Sequence, residues 1–121
     1  MKIETLARAL AWLCIALIVW LSLVPGTMRP HTGASGHFEH FMAYAGTGFF
    51  CALGASRRGP LLWGLALTLL SGALEVAQLE VPGRSGEFGG FFFSSLGAWL
   101  GIAAGRLAYA LWSRFGAAKV G

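Results

Sequence analysis

The chain changes from loop to apolar helix at HFEHFMAY, residues 37–44, and the apolar run then extends to residue 55. Two histidines, a carboxylate and a phenol lie within these eight residues. Ionisable groups are costly in or beside hydrocarbon, and in membrane helices they commonly mark functional sites. The spacing predicts that His37, His40 and Tyr44 share one helical face, because they are three and four residues apart, and that Glu39 points nearly the other way.

The composition indicates that lipid is the solvent of this chain. Hydrophobic residues make up 56% of its 121 residues and charged residues only 12%, which is more apolar surface than a soluble domain of this size could bury. Glycine, with 18 copies, suits close helix packing in membranes. The net charge of +4 comes from single or paired basic residues without interleaved stacking aromatics, and this pattern argues against nucleic acid as a partner.

Four apolar runs predict membrane helices at residues 6–24, 38–55, 61–79 and 88–112 of a single domain, residues 1–121. Each run is long enough to cross a hydrocarbon core of roughly 30 Å. The first is long for the apolar part of a signal peptide and is followed by Pro25-Gly26 instead of a small-residue cleavage site, so we expect a retained helix. The predicted fold is therefore all-α, an integral membrane four-helix bundle.

The basic residues predict the orientation of this bundle. If the N-terminus is cytoplasmic, only Arg29 and Arg84 face outward. The inward-facing basic residues are then Lys2, Arg8, Arg57, Arg58, Arg106, Arg114 and Lys119. Because cytoplasmic loops carry an excess of Lys and Arg, we expect both termini in the cytoplasm.

This topology gathers polar side chains at the outer face. Ser71, Glu75 and Gln78 share one face of the third helix, and Arg84 follows closely enough to fold back over Glu75. An Arg–carboxylate pair would be strong at a partly dry interface. The predicted binding residues are His40, Tyr44, Glu75, Gln78 and Arg84.

Each of these residues also has a simpler interpretation. His40 and Tyr44 are equally consistent with a plain interhelical hydrogen bond, and Arg84 with an anchor on a lipid phosphate. A separate feature, the recurrence of Gly97, Gly101 and Gly105 every four residues, predicts a smooth stripe for close approach of another helix.

No metal or cofactor is predicted. The spacing of His37 and His40 would let two imidazoles reach one ion, but two histidines and a glutamate from scattered positions are weak evidence for a metal centre. Ser94 and Ser95 lack the surroundings of a nucleophile elbow, and serines in membrane helices usually bond to their own helix.

Three segments give the chain a resemblance to the VanZ-like membrane proteins over nearly its whole length. They are HFMAYAG at 40–46, GALEVAQL at 72–79 running into VPGRS at 81–85, and LGAWLG at 96–101. The chain departs from the family where Gly36 and His37 stand in place of an Asp-Lys pair, and where Gly90 and Ser94 stand in place of an Asp and an Asn. The resemblance implies a multi-pass protein of the bacterial inner membrane with a possible link to glycopeptide-type antibiotic resistance.

Three functional hypotheses follow. The first is a protein of the cell envelope that binds an anionic or lipid-linked envelope component at the outer-leaflet polar site. The second is a membrane hydrolase or transferase on a lipid-linked substrate, with His40 as general base and Glu75 orienting or protonating it. The third is a structural subunit that pairs, through its glycine-rich faces, with a second copy or with another membrane protein.

Overall fold

The computed structural model describes residues 2–24, 36–55, 59–81 and 88–120, and for residues 36, 88 and 116–120 it describes the backbone alone. These parts of the chain form four α-helices and no strand. The helices are α1 (Ile3–Leu23), α2 (Gly36–Gly54), α3 (Gly59–Gln78) and α4 (Phe88–Val120). The all-helical prediction is confirmed. The main difference in bounds is at α4, which continues past the predicted end at residue 112 because its last turns contain no proline to stop a helix.

Three of the four described helices are long and apolar enough to cross a membrane: α1, α3, and α4 over Gly89–Phe115. They indicate a membrane protein. The structure supports three of the four predicted membrane helices on these grounds; α2 is 19 residues long but less apolar, with His37, Glu39 and His40 near its start. These three side chains lower its hydropathy.

Helix α2 has the most extensive interfaces in the described part of the bundle. It contacts α1, α3 and α4, and its largest interface is with α4, whereas the described parts of α1 and α4 do not contact each other. A helix surrounded by protein on three sides does not need the apolar surface that lipid demands of its neighbours. The polar side chains of α2, and those of α3, which also contacts the three other helices, are accommodated in this way.

Three glycines of α4 bring its backbone directly against α2. Gly97, Gly101 and Gly105 lie against Phe41, Ala45 and Phe49, respectively. A Cβ atom added at Gly101 would lie 2.8 Å from Cα of Ala45, and one added at Gly97 would lie 3.1 Å from Cα of Phe41. The paired residue numbers rise together, so α2 and α4 run parallel. Close backbone packing of this kind is how membrane helices associate without a hydrophobic driving force.

Contacts at the helix ends define an up-and-down arrangement. The Gln78 side chain at the end of α3 reaches Ser22 at the end of α1, and His37 at the start of α2 covers Gly89 at the start of α4. We call this the site end of the bundle. At the opposite end, which we call the basic end, the Arg8 Nε donates a hydrogen bond to the Gly54 carbonyl at 2.6 Å.

Hydroxyl groups link α3 to α4 along the bundle. Trp99 Nε1 donates to Thr68 Oγ1 at 3.1 Å, and the hydroxyl oxygens of Ser71 and Ser95 lie 3.3 Å apart. Interhelical hydrogen bonds in membrane proteins contribute on average about 0.6 kcal/mol each. These bonds fix the rotation of α3 about its axis. They therefore also fix the directions in which Glu75 and Gln78, one and two turns after Ser71, point.

Helix α4 extends beyond the end of α2 at the basic end. Its 33 residues correspond to about 50 Å, against about 28 Å for the 19 residues of α2. Because Gly105 already lies against Phe49 and Ala52, the last turns of α4 pass beyond the end of α2 at Gly54. The side chains of Leu107, Leu111, Trp112 and Phe115 are all exposed there.

Candidate functional site

The centre of the site end is a histidine–carboxylate pair between α2 and α3. His40 Nδ1 lies 3.6 Å from Glu75 Oε1, and the two side chains are 24% and 13% exposed. This separation is longer than a hydrogen bond. It places an imidazole and a carboxylate in electrostatic contact at a position that outside molecules can partly reach.

Glu75 also contacts the first turn of α4. A Cβ atom added at Gly90 would lie 2.8 Å from Cδ of Glu75, so the carboxylate occupies the space that any other residue at position 90 would fill. The first N–H groups of a helix have no intrahelical acceptor, and a negative charge beside them is favourable by roughly 0.3–1 kcal/mol. Glu75 thus joins α2, α3 and α4 at one point.

Tyr44 completes the inner side of this pair. It lies one helical turn after His40, which places the two side chains on one face of α2, and it is only 4% exposed. The structure therefore brings together three of the five predicted binding residues, namely His40, Tyr44 and Glu75. Of these, the two that outside molecules can reach are His40 and Glu75.

His37 lies at the rim of the site, on the surface of α4. A Cβ atom added at Gly89 would be 3.0 Å from His37 Nε2, and the imidazole stacks on the Phe93 ring with centroids 5.0 Å apart and an angle of 16°. His37 is therefore positioned by α4, whereas His40 is positioned by α3. The first turn of α2 also contains Glu39, which is partly exposed.

Gln78 lies in the interior of the bundle, between α3 and α1. Its side chain is 3% exposed, and Nε2 donates a hydrogen bond to the Ser22 carbonyl of α1 at 3.1 Å. The amide therefore joins α3 to the last turn of α1, where carbonyl groups have no intrahelical donor. The fifth predicted residue, Arg84, lies outside the described residues, as does Glu87.

Hydroxyl groups near the site serve the bundle itself. Ser71 Oγ donates to the Thr68 carbonyl at 2.8 Å, and Thr47 Oγ1 donates to the Ala43 carbonyl at 2.7 Å. Ser94 is buried, with 1% of its surface exposed. These arrangements match the tendency of serine and threonine in membrane helices to bond back to their own helix.

Sequence reasoning missed the role of the two glycines that start α4. The His37 side chain packs against Gly89, and the Glu75 side chain packs against Gly90. Side chains from two different helices therefore contact one turn of α4. The available signal was the Gly89-Gly90 pair at a helix start, where glycine lowers helix stability and needs a packing reason. Gly90 stands where the resemblance leads us to expect an aspartate, and the carboxylate of Glu75 lies at that position.

The described Lys and Arg side chains are unevenly distributed along the bundle. Within residues 2–24, 36–55, 59–81 and 88–115, the charged side chains at the site end are the carboxylates of Glu39, Glu75 and Glu80. The Lys and Arg side chains of the same ranges, all toward the basic end, are Lys2, Arg8, Arg106 and Arg114. The described residues also contain no group of three or more His, Cys, Asp or Glu that could hold a metal ion.

No protein-family model matches the chain, and no curated protein or solved structure is significantly similar to it. The resemblance to VanZ-like proteins therefore stays a prediction based on its three sequence segments.

Proposed function

We propose that the chain is a VanZ-like, multi-pass protein of the bacterial inner membrane that binds an anionic or lipid-linked envelope component at the site end. In this proposal both termini are cytoplasmic and the site end faces the outer leaflet. The observation that carries it is the contact between His40 and Glu75, two ionisable side chains that are partly exposed at one end of an otherwise apolar bundle. Placing such groups near hydrocarbon is costly unless they have a partner or a function.

The surface beside this pair suits an amphipathic ligand. Val76 follows Glu75 directly on α3 and is 66% exposed, and Leu79 and Phe92 are exposed nearby in the sequence of α3 and α4. An acyl or prenyl chain would lie along these apolar side chains while its polar headgroup reaches His40. The apolar chain of the ligand would remain in the membrane, and its headgroup would move from the surrounding lipid headgroups to His40.

The anionic part of the ligand is assigned to two residues. His40 donates from its imidazole, and Arg84, which the sequence places six residues after Gln78, supplies a guanidinium suited to phosphate. The resemblance adds the proposal that such binding contributes to glycopeptide-type resistance. Sequestering or shielding an envelope component would change which components the antibiotic can bind.

Lipid retention tests this function. The full chain would be purified in detergent, exchanged into mixed micelles with phosphatidylglycerol, a polyprenyl phosphate or phosphatidylcholine, and the retained lipid counted by native mass spectrometry. We expect the phosphate-exposing lipids to be retained over phosphatidylcholine, and retention to fall in His40→Ala and Arg84→Ala. The matched control is Glu80→Gln, an exposed position at the same end. Equal retention of all three lipids by every variant would contradict the proposal.

A second candidate, an enzyme on a lipid-linked substrate, is favoured by the orientation of the pair. His40 Nδ1 faces the Glu75 carboxylate, and a carboxylate in that position stabilises the imidazolium that a general base forms. His40 would then accept the proton through Nε2. Phosphate or headgroup release from the polyprenyl phosphate substrate, present in the wild type and lost in His40→Ala, would favour the enzyme. Retention without release would favour the binding protein.

A further inference from the structure

The basic end of the bundle carries positive charge that the proposed function does not use. By their place in the sequence, seven of the nine Lys and Arg residues belong to this end, against one carboxylate, Glu4. These seven are Lys2, Arg8, Arg57, Arg58, Arg106, Arg114 and Lys119. The ends of helices that can cross a membrane lie near the lipid headgroups, where clusters of basic side chains attract anionic lipids.

Arg8 is held in place against the last turn of α2. Its Nε donates a hydrogen bond to the Gly54 carbonyl at 2.6 Å, at a helix end where carbonyl groups have no intrahelical donor. Gly54 is buried, and a Cβ atom added there would lie 2.7 Å from Cγ of Arg8 and 3.0 Å from its backbone nitrogen. The missing side chain of Gly54 therefore lets Arg8 lie directly on the end of α2.

The guanidinium of Arg8 keeps donors for a phosphate. A guanidinium has five N–H groups, and the bond to Gly54 uses the one on Nε. Within the described residues, the groups on the two terminal nitrogens make no hydrogen bond or ion pair, and Arg8 is exposed. The planar fork of arginine matches phosphate oxygens in pairs. Because the bond to Gly54 already orders the side chain, less conformational entropy is lost when a phosphate binds.

An aromatic surface beside Arg8 favours a lipid over a soluble phosphate. Trp12 follows Arg8 by one turn of α1 and is 60% exposed. Its ring packs edge-to-face on Trp63 of α3, with the ring centroids 5.4 Å apart and the planes at 72°. An acyl chain can lie along these rings while its phosphate is at Arg8. A soluble phosphate would gain nothing from them.

We infer that Arg8 binds the phosphate of an anionic phospholipid, in a second lipid site at the basic end. This site does not depend on the proposed function, because it uses neither His40 nor Glu75 and lies at the opposite end of the bundle. Arg114 offers a matched control. It is an exposed cation toward the same end, but it lies on α4, whose described part does not contact α1.

The experiment measures the preference of the full chain for phosphatidylglycerol over phosphatidylcholine of identical acyl chains, in mixed micelles, by native mass spectrometry. Arg8→Gln should reduce this preference about fivefold, the factor that corresponds to the ~1 kcal/mol of a basic side chain near an anionic surface. Arg8→Lys keeps the charge but loses the fork, so its preference should fall less. Arg114→Gln removes the same charge from α4 and should leave the preference unchanged.

A second readout separates a lipid from a soluble anion. Phosphatidylglycerol should raise the thermal midpoint of the wild type more than that of Arg8→Gln, and inorganic phosphate should not raise it. If inorganic phosphate stabilises the wild type as strongly as the lipid, and Arg8→Gln removes the effect, the assignment to a lipid is overturned. The midpoint without added lipid shows whether each variant is folded.

The remaining outcomes concern Arg8 itself and the independence of the two sites. Equal losses in Arg8→Gln and Arg114→Gln would overturn the inference, because they would show a diffuse attraction to the whole end. If Arg8→Gln does not fold, Arg8→Lys decides, and a wild-type preference in that variant would overturn the inference. Arg8→Gln should also reduce retention in a His40→Ala background. Loss of retention in His40→Ala alone would leave the proposed function standing and overturn the second site.

Discussion

Replacing Gly101 by alanine should separate α2 from α4. A Cβ atom at this position would lie 2.7 Å from the Ala45 carbonyl carbon and 2.8 Å from its Cα, whereas optimal carbon–carbon contacts are about 3.5–4.0 Å. The obstructing atoms are backbone, so no side chain can rotate away. The helices must move apart by roughly 1 Å, and overpacking of this kind typically costs about 1–3 kcal/mol.

Gly46 provides the matched control for this change. It lies on α2, and a Cβ atom added there would meet nothing within 4 Å. Both substitutions raise helix propensity by roughly 1 kcal/mol, so the difference between them isolates the packing cost. We expect the thermal midpoint of purified Gly101→Ala, followed by intrinsic fluorescence in detergent, to fall several degrees below that of Gly46→Ala. Equal midpoints would refute the direct backbone contact between α2 and α4.

Three further predictions concern the site end and the end of α4. Gln78→Ala removes the hydrogen bond to the Ser22 carbonyl and should lower stability by about 1 kcal/mol, measured as a lower thermal midpoint; an unchanged midpoint would contradict the link between α1 and α3. Gly90→Val should displace the Glu75 carboxylate and reduce lipid retention more than it reduces stability, and full retention would show that the carboxylate does not need that space. Ending the chain before residues 114–121 should change the thermal midpoint little, because the described side chains of this segment are exposed; a large drop would show that the segment packs on the bundle.

The helices themselves could be predicted from the sequence because apolar runs of about 20 residues bounded by glycine and proline have few other solutions. The last residue of α4 was harder to predict. Its last turns combine alanine with arginine and lysine, which are good helix formers, so the helix continues where the apolar pattern weakens. Hydropathy alone could not show that α2 contacts the three other helices, because composition carries no information about the neighbours of a helix.

The site was partly predictable for the same reason. Helical spacing places His40 and Tyr44 on one face, and the up-and-down topology brings that face near the end of α3, so the contact with Glu75 could be anticipated. Spacing could not distinguish a residue that meets ligand from one that meets another helix. Gln78 shares the face pattern of Glu75, yet the rotation of α3 sends its amide to α1.

The glycines illustrate a second limit. A four-residue repeat predicts close approach, and Gly97, Gly101 and Gly105 indeed meet another helix, but the repeat does not say which one. Gly90 has no repeat at all, and its importance follows only from the side chain that fills its place. The role of such a glycine can be recognised only when the structure shows which side chain packs against it.

The most direct test of the account is a double-mutant cycle on lipid retention with His40→Ala, Glu75→Gln and the double variant. Phosphatidylglycerol is the probe, because the proposed function places its phosphate at His40, and Glu75 contacts the His40 imidazole. If His40 and Glu75 act on one headgroup, each single change reduces retention and the double variant loses little more than the weaker single variant. Losses that add, or four proteins that retain the same lipid equally, would contradict a shared site at this end of the bundle.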